Sequence, residues 1–88
     1  MTKIVEYSVI PHDRWMIVRF ESESTEAGRS AGSTQRGEFK NEDIANEVAV
    51  LLAKAEGAKI RWAARKSLTA LARDMGVDVA ERHEPKSP

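Results

Sequence analysis

Two stretches near the start, KIVEYSVI (residues 3–10) and WMIVRFES (residues 15–22), constrain the fold more than anything else in the chain. Both are rich in β-branched and aromatic residues, and only a short polar link, PHDR, separates them. Two such runs joined so closely have room for one arrangement, an antiparallel hairpin. Period-2 alternation puts Val5, Tyr7 and Val9 on one face of the first strand and Ile4, Glu6, Ser8 and Ile10 on the other. In the second strand Met16, Val18 and Phe20 alternate with Trp15, Ile17 and Arg19. Pairing Met16, Val18 and Phe20 with Val5, Tyr7 and Val9 makes a core face. Ile4, Ile10, Trp15, Ile17 and Arg19 are then left on a second face.

A helix must cover the core face, and NEDIANEVAVLLAKAEG supplies it. Asn41 is a good N-cap, Glu42 and Asp43 suit the positive end of the helix dipole, and Gly57 offers a stop. Ile44, Val48, Leu51, Leu52 and Ala55 follow helical spacing and are expected to form its buried stripe. Between hairpin and helix, ESESTEAGRSAGSTQRG holds almost no apolar side chains. Its end, near STQRGEF, can return as a third strand with Phe39 inward; the rest reads as mobile loop. The segment AKIRWAARKSLTALARDMG has two readings. In one, residues 58–63 form a strand with Ile60 and Trp62 in the core, and a short helix begins at Ser67. In the other, a single helix runs over residues 58–75; its strong helix formers tilt the balance that way. The expectation is one α+β domain over residues 1–80 and a disordered tail over residues 81–88. It consists of an N-terminal antiparallel hairpin of two or three strands on an amphipathic helix, followed by a second helix.

Val9, Pro11, Trp15, Ile17 or Val18, Phe39 and the run NEDIANEVAVLLAKAEGAKI resemble a family of small uncharacterised bacterial domains. That family has a V-x-P-x-x-x-W-x-V hairpin, a later aromatic, a helix with an acidic first turn and a closing strand. The likeness spans residues 7–62 and departs in the polar loop and the C-terminal helix. It implies a strand at AKIRW and no particular activity.

No run approaches the roughly 20 apolar residues of a membrane helix. The N-terminus enters a strand pattern without an apolar leader, so a cytoplasmic location and no membrane partner are expected. Cysteine is absent, which excludes disulfides and thiolate chemistry. Residues 1–53 carry 6 Lys and Arg against 9 Asp and Glu; residues 54–88 carry 8 against 5. A neutral total with a basic second half disfavours a dedicated nucleic-acid binder but permits a local basic face.

Candidate motifs mostly dissolve on inspection. LTALARDMGV, residues 68–77, matches the first half of a helix-turn-helix through Ala72, Gly76 and Val77. The second half would need Arg82 and Pro85 at inward positions, so a helix ended by glycine is the better account. His12, Asp13 and Arg14 are adjacent in a turn and point apart, and His83 lies in the polar tail. Neither histidine has a metal-site partner set, so no metal, cofactor or catalytic residue is assigned. GRSAGSTQRG lacks P-loop spacing.

Two surfaces remain. The second sheet face, with Ile4, Ile10, Trp15, Ile17 and Arg19, is expected to bind a protein unless the C-terminal helix covers it; a homodimer is one version of this. Lys59, Arg61, Trp62, Arg65, Lys66 and Arg73 form an alternative basic surface suited to nucleic acid. The protein-binding reading is preferred: a small non-enzymatic regulator or inhibitor of a larger cytoplasmic protein, of the kind that phage and mobile elements encode.

Overall fold

The computed structural model describes residues 2–81. Its elements are β1 (Thr2–Pro11), β2 (Trp15–Thr25), β3 (Gly28–Phe39), α1 (Glu42–Glu56), β4 (Lys59–Ile60) and α2 (Lys66–Asp74). They form an α+β fold with a mixed four-stranded sheet in the order β3-β2-β1-β4. Residues 82–88, most of the expected tail, lie outside the described residues.

The hairpin of β1 and β2 pairs Pro11 with Trp15, Val9 with Ile17 and Tyr7 with Arg19. Residues directly opposite in an antiparallel pair share a face. Trp15, Ile17 and Arg19 therefore stand beside Val5, Tyr7 and Val9, and Met16, Val18 and Phe20 stand beside Ile4 and Ile10. This reverses the expected faces of β2. The reason is the link: His12, Asp13 and Arg14 lie between the closing pair, which joins odd-numbered residues to odd-numbered ones. A slip of one residue sends every side chain to the other face. Periodicity alone could not arbitrate, because Trp15, Met16, Ile17 and Val18 are apolar on both sides.

The polar stretch is not a loose loop. Glu26 and Ala27 make a tight turn, and β3 pairs with β2 from Thr25–Gly28 to Trp15–Phe39, with an irregularity between Ile17 and Val18. Thr25 helps close this turn, its Oγ1 accepting from the Ala27 amide at 3.2 Å and donating to the Gly28 carbonyl at 3.3 Å. Backbone pairing carries this outer ribbon, whose side chains are largely exposed from Thr25 to Arg36. Phe39 points inward as expected and packs against the core.

The caps of α1 are where the sequence places them. Asn41 Oδ1 accepts from the Ile44 amide at 3.2 Å. Gly57 is left-handed, with φ 72°, and its amide bonds the Lys54 carbonyl while Ala58 bonds Ala53. This is a Schellman closure, which needs a residue free of Cβ strain. The fully buried stripe is a different one, however: Ala45, Asn46, Ala49, Val50 and Ala53 face the core, while Val48 and Leu52 of the expected stripe are only partly buried against it. Ile44 and Leu51 are among the most exposed large apolar residues. At 3.6 residues per turn the Ala45/Ala49/Ala53 row lies roughly 140° from the Ile44/Leu51/Ala55 row. Small side chains let the helix settle close to the sheet, where Tyr7, Val9 and Ile17 supply the volume.

Residues 58–63 are not helical. Lys59 and Ile60 pair in parallel with Glu6 and Tyr7, and Ile60 is fully buried. The glycine at 57 has already ended α1, so the chain turns back beside β1. Trp62 is not in the core; it lies in the turn before α2 and is about half exposed. Within α2, Leu68 and Ala72 join the same core as Tyr7 and Ile17, so both helices cover one face of the sheet. The helix ends in a second Schellman closure, with Gly76 at φ 77°, Gly76 bonding Arg73 and Val77 bonding Ala72. No recognition helix follows among the described residues. Instead Val77 and Ala80 are buried, and Val79 bridges to Ile60 in parallel.

Candidate functional site

The faces assigned by the hairpin register divide the five expected protein-binding residues. Ile17 is fully buried under the helices, Trp15 packs against the same core, and Arg19 is engaged on that side. These three are withdrawn from any open surface. Ile4 and Ile10 do lie on the open face, 40% and 36% exposed. The pairings Ile4–Ser22, Glu6–Phe20, Ser8–Val18 and Ile10–Met16 complete that face. It thus carries Ile4, Ile10, Met16 and Phe20 around a buried centre of Ser8 and Val18, 6% and 9% exposed, with Glu6 beside Phe20, and neither helix packs on it. Met16, Val18 and Phe20 are missed by sequence reading because a four-residue link PHDR would pair Ile10 with Trp15, whereas Pro11 belongs to β1 and pairs with Trp15 across three residues, which reverses the parity.

Arg61 borders this face. Since Ile60 points to the helices beside Tyr7, Lys59 and Arg61 point the other way. The Arg61 guanidinium stacks on the Phe20 ring, 3.9 Å from its centroid, a cation–π contact. No ion pair to Arg61 is formed among the described residues. Between Ile4, Phe20, Arg61 and the β3 residues Ala31 and Ser33 lies a shallow groove of about 400 Å³.

The alternative basic surface does not assemble either. Lys59 and Arg61 lie on the open sheet face. Arg65 is on the helix side, where its Nε donates to Glu42 Oε2 at 2.7 Å and its guanidinium lies 5.1 Å from the Trp15 ring centroid. Lys66 and Arg73 belong to α2. The sheet separates the first pair from the rest, so the six residues do not form one basic helix face.

One polar constellation is well organised, on the helix side. Glu56, at the end of α1, accepts from Arg19 Nε at 3.0 Å and from Tyr7 Oη at 2.7 Å, both at Oε1. Arg19 Nη2 reaches Oε2. Arg19 also donates to Glu21 at 2.9 Å, and Glu21 in turn meets Lys3 at 2.7 Å. Hydrogen bonds from Arg19 and then Tyr7 hold the Glu56 carboxyl down to about 2. Burial, followed by the bond to Glu56, pushes the Tyr7 phenol above its usual range. With both oxygens engaged, Glu56 is a fixed anion rather than a proton acceptor near neutrality. A negative charge at a helix C-terminus opposes the dipole, and Arg19 offsets it. The constellation fastens the end of α1 to β1 and β2.

Among the described residues, no group of three or more His, Asp or Glu side chains is placed to hold a metal ion. No helix is long and apolar enough to cross a membrane. Comparison with protein-family models, curated proteins and solved structures finds no match to this chain.

Proposed function

We propose that this protein is a small, non-enzymatic protein-binding module that docks through the open face of its sheet. The observation that carries the proposal is the one-sided cover: α1 and α2 share one face, while Ile4, Ile10, Met16, Val18 and Phe20 occupy the other. A sheet face with exposed Ile4 and Ile10 and part-exposed Met16 and Phe20, an arginine stacked on its aromatic and Glu6 in the same groove, has the mixed composition of a binding hot spot. Charge selects the partner. Lys59 and Arg61 edge the apolar stripe, and Arg61 makes no internal ion pair among the described residues. The fitting occupant is a protein segment with an apolar ridge flanked by a carboxylate that meets Arg61. In this reading the protein is a cytoplasmic regulator that acts by occupying a surface of a larger protein.

The test compares captures made with the tagged parent chain and with Phe20→Ser, Arg61→Glu and the pair Lys66→Ala/Arg73→Ala, each checked for folding by circular dichroism. The expected result is a partner that survives nuclease, is lost with Phe20→Ser, is weakened by Arg61→Glu and is retained by the α2 pair. A partner kept by folded Phe20→Ser, or one lost on nuclease treatment and with the α2 pair, overturns the proposal.

A further inference from the structure

The apolar row left outside on α1 is not scattered. Ile44, Val48, Leu51 and Ala55 follow one another at intervals of 4, 3 and 4, the spacing of a coiled-coil seam with Ile44 and Leu51 at d and Val48 and Ala55 at a. Ile44 is 50% exposed and Leu51 49%, although both belong to a helix whose other face is fully packed. A lone exposed leucine needs no explanation. Two half-exposed large residues in seam register do; Val48 between them is half-buried and also touches the chain's own core. In this seam Glu47 and Lys54 both fall at g, on the same flank, and both are exposed, Lys54 Nζ making one long contact to the Met75 carbonyl at 3.4 Å.

We infer that α1 pairs antiparallel with α1 of a second copy of this chain. The charge pattern selects both the occupant and the direction. In an antiparallel pair, g residues face g residues, so Glu47 of one copy meets Lys54 of the other, twice by symmetry. A parallel pair would instead set g against e, where the chain has Ala45 and Leu52 and no charge to match. The apolar layers then pair Ile44 with Ala55 and Val48 with Leu51, which places a small residue opposite a large one at each end. The same side chains explain why α1 buries its alanines against its own sheet: the larger row serves the second copy. The seam is short, spanning about 16 Å at 1.5 Å per residue, so the dimer is expected to dissociate on dilution. Both open sheet faces lie away from the seam and remain available.

The experiment is sedimentation equilibrium on the whole chain over a wide concentration range, at low salt. A monomer–dimer equilibrium is expected for the parent. Leu51→Glu should be monomeric with an unchanged circular dichroism spectrum, since Leu51 makes no part of the core. Glu47→Lys and Lys54→Glu should each replace two attractive contacts with two repulsive ones and weaken dimerisation by roughly tenfold. The double variant Glu47→Lys/Lys54→Glu should return to within about threefold of the parent. A chain that stays monomeric at millimolar concentration overturns the inference. So does a dimer that tolerates Leu51→Glu, or single charge variants that the double variant does not rescue. None of these changes touches the open sheet face, so failure here is separable from failure of the docking proposal.

Discussion

Ile17→Ala tests the face assignment on which everything else rests. Ile17 is fully buried, paired with Val9 and packed in the cluster that includes Tyr7, Ala49, Val50 and Leu68. The substitution removes three buried carbons, worth about 0.8 kcal/mol each as lost transfer energy. That sum is about 2.4 kcal/mol, and incomplete collapse of the cavity adds to it, within the ~2–5 kcal/mol range of such truncations. A central value of about 3 kcal/mol is a large share of what a chain this size possesses, roughly 4–13 kcal/mol. At about 4–8 °C per kcal/mol, the melting temperature should fall by roughly 12–24 °C. Phe20→Ala is the control. Phe20 is the larger residue but stands on the open face with Arg61 over its ring. It should cost clearly less, about 1–2 kcal/mol, because water can reach the site it vacates. Thermal and urea unfolding followed by circular dichroism measure both. If Ile17→Ala costs under about 1 kcal/mol while Phe20→Ala costs more, the faces are reversed and the reasoning fails.

Other consequences follow from individual contacts. Glu56 has its carboxyl held at about 2, below the usual 4.5, so its share of stability is complete above pH 4.5 and disappears as pH falls towards 2. A pH series of melting temperatures should therefore decline over that window, and Glu56→Gln should be destabilised near neutrality but flatter in acid. Asn41→Ala removes the acceptor for the Ile44 amide and should cost about 1 kcal/mol in urea unfolding. Gly57→Ala places a Cβ at φ 72° and should cost about 1–2 kcal/mol, readable in the same assay, with no steric neighbour to blame.

How far the sequence reveals this fold differs from element to element, for physical reasons. The caps of α1 are legible because Asn41 and Gly57 act through their own backbone neighbourhood. The hairpin is legible because its strands are close in the chain. The faces of β2 are not legible from alternation, since its first four residues are apolar throughout, and whether Pro11 ends β1 or opens the link decides the parity. The buried side of α1 is misleading because the helix holds two apolar rows, and hydrophobicity favours the larger one. Close packing on a sheet of bulky residues favours the smaller. β3 hides because its stability is in backbone pairing, which leaves no apolar period. The segment at residues 58–63 hides because a two-residue strand is shorter than any periodicity. The docking face inherits these effects: Ile4 and Ile10 were visible on the well-patterned β1, whereas Met16, Val18 and Phe20 required the correct register.

The most direct measurement is methyl-resolved NMR of the isotopically labelled chain as its captured protein partner is titrated in. The account predicts that the methyl signals of Ile4, Ile10 and Met16 shift or broaden together, while those of Ile44, Leu51 and Leu68 stay in place at a fixed protein concentration. Perturbation confined to Ile44, Val48 and Leu51, or to α2, with the sheet methyls unmoved, would contradict it.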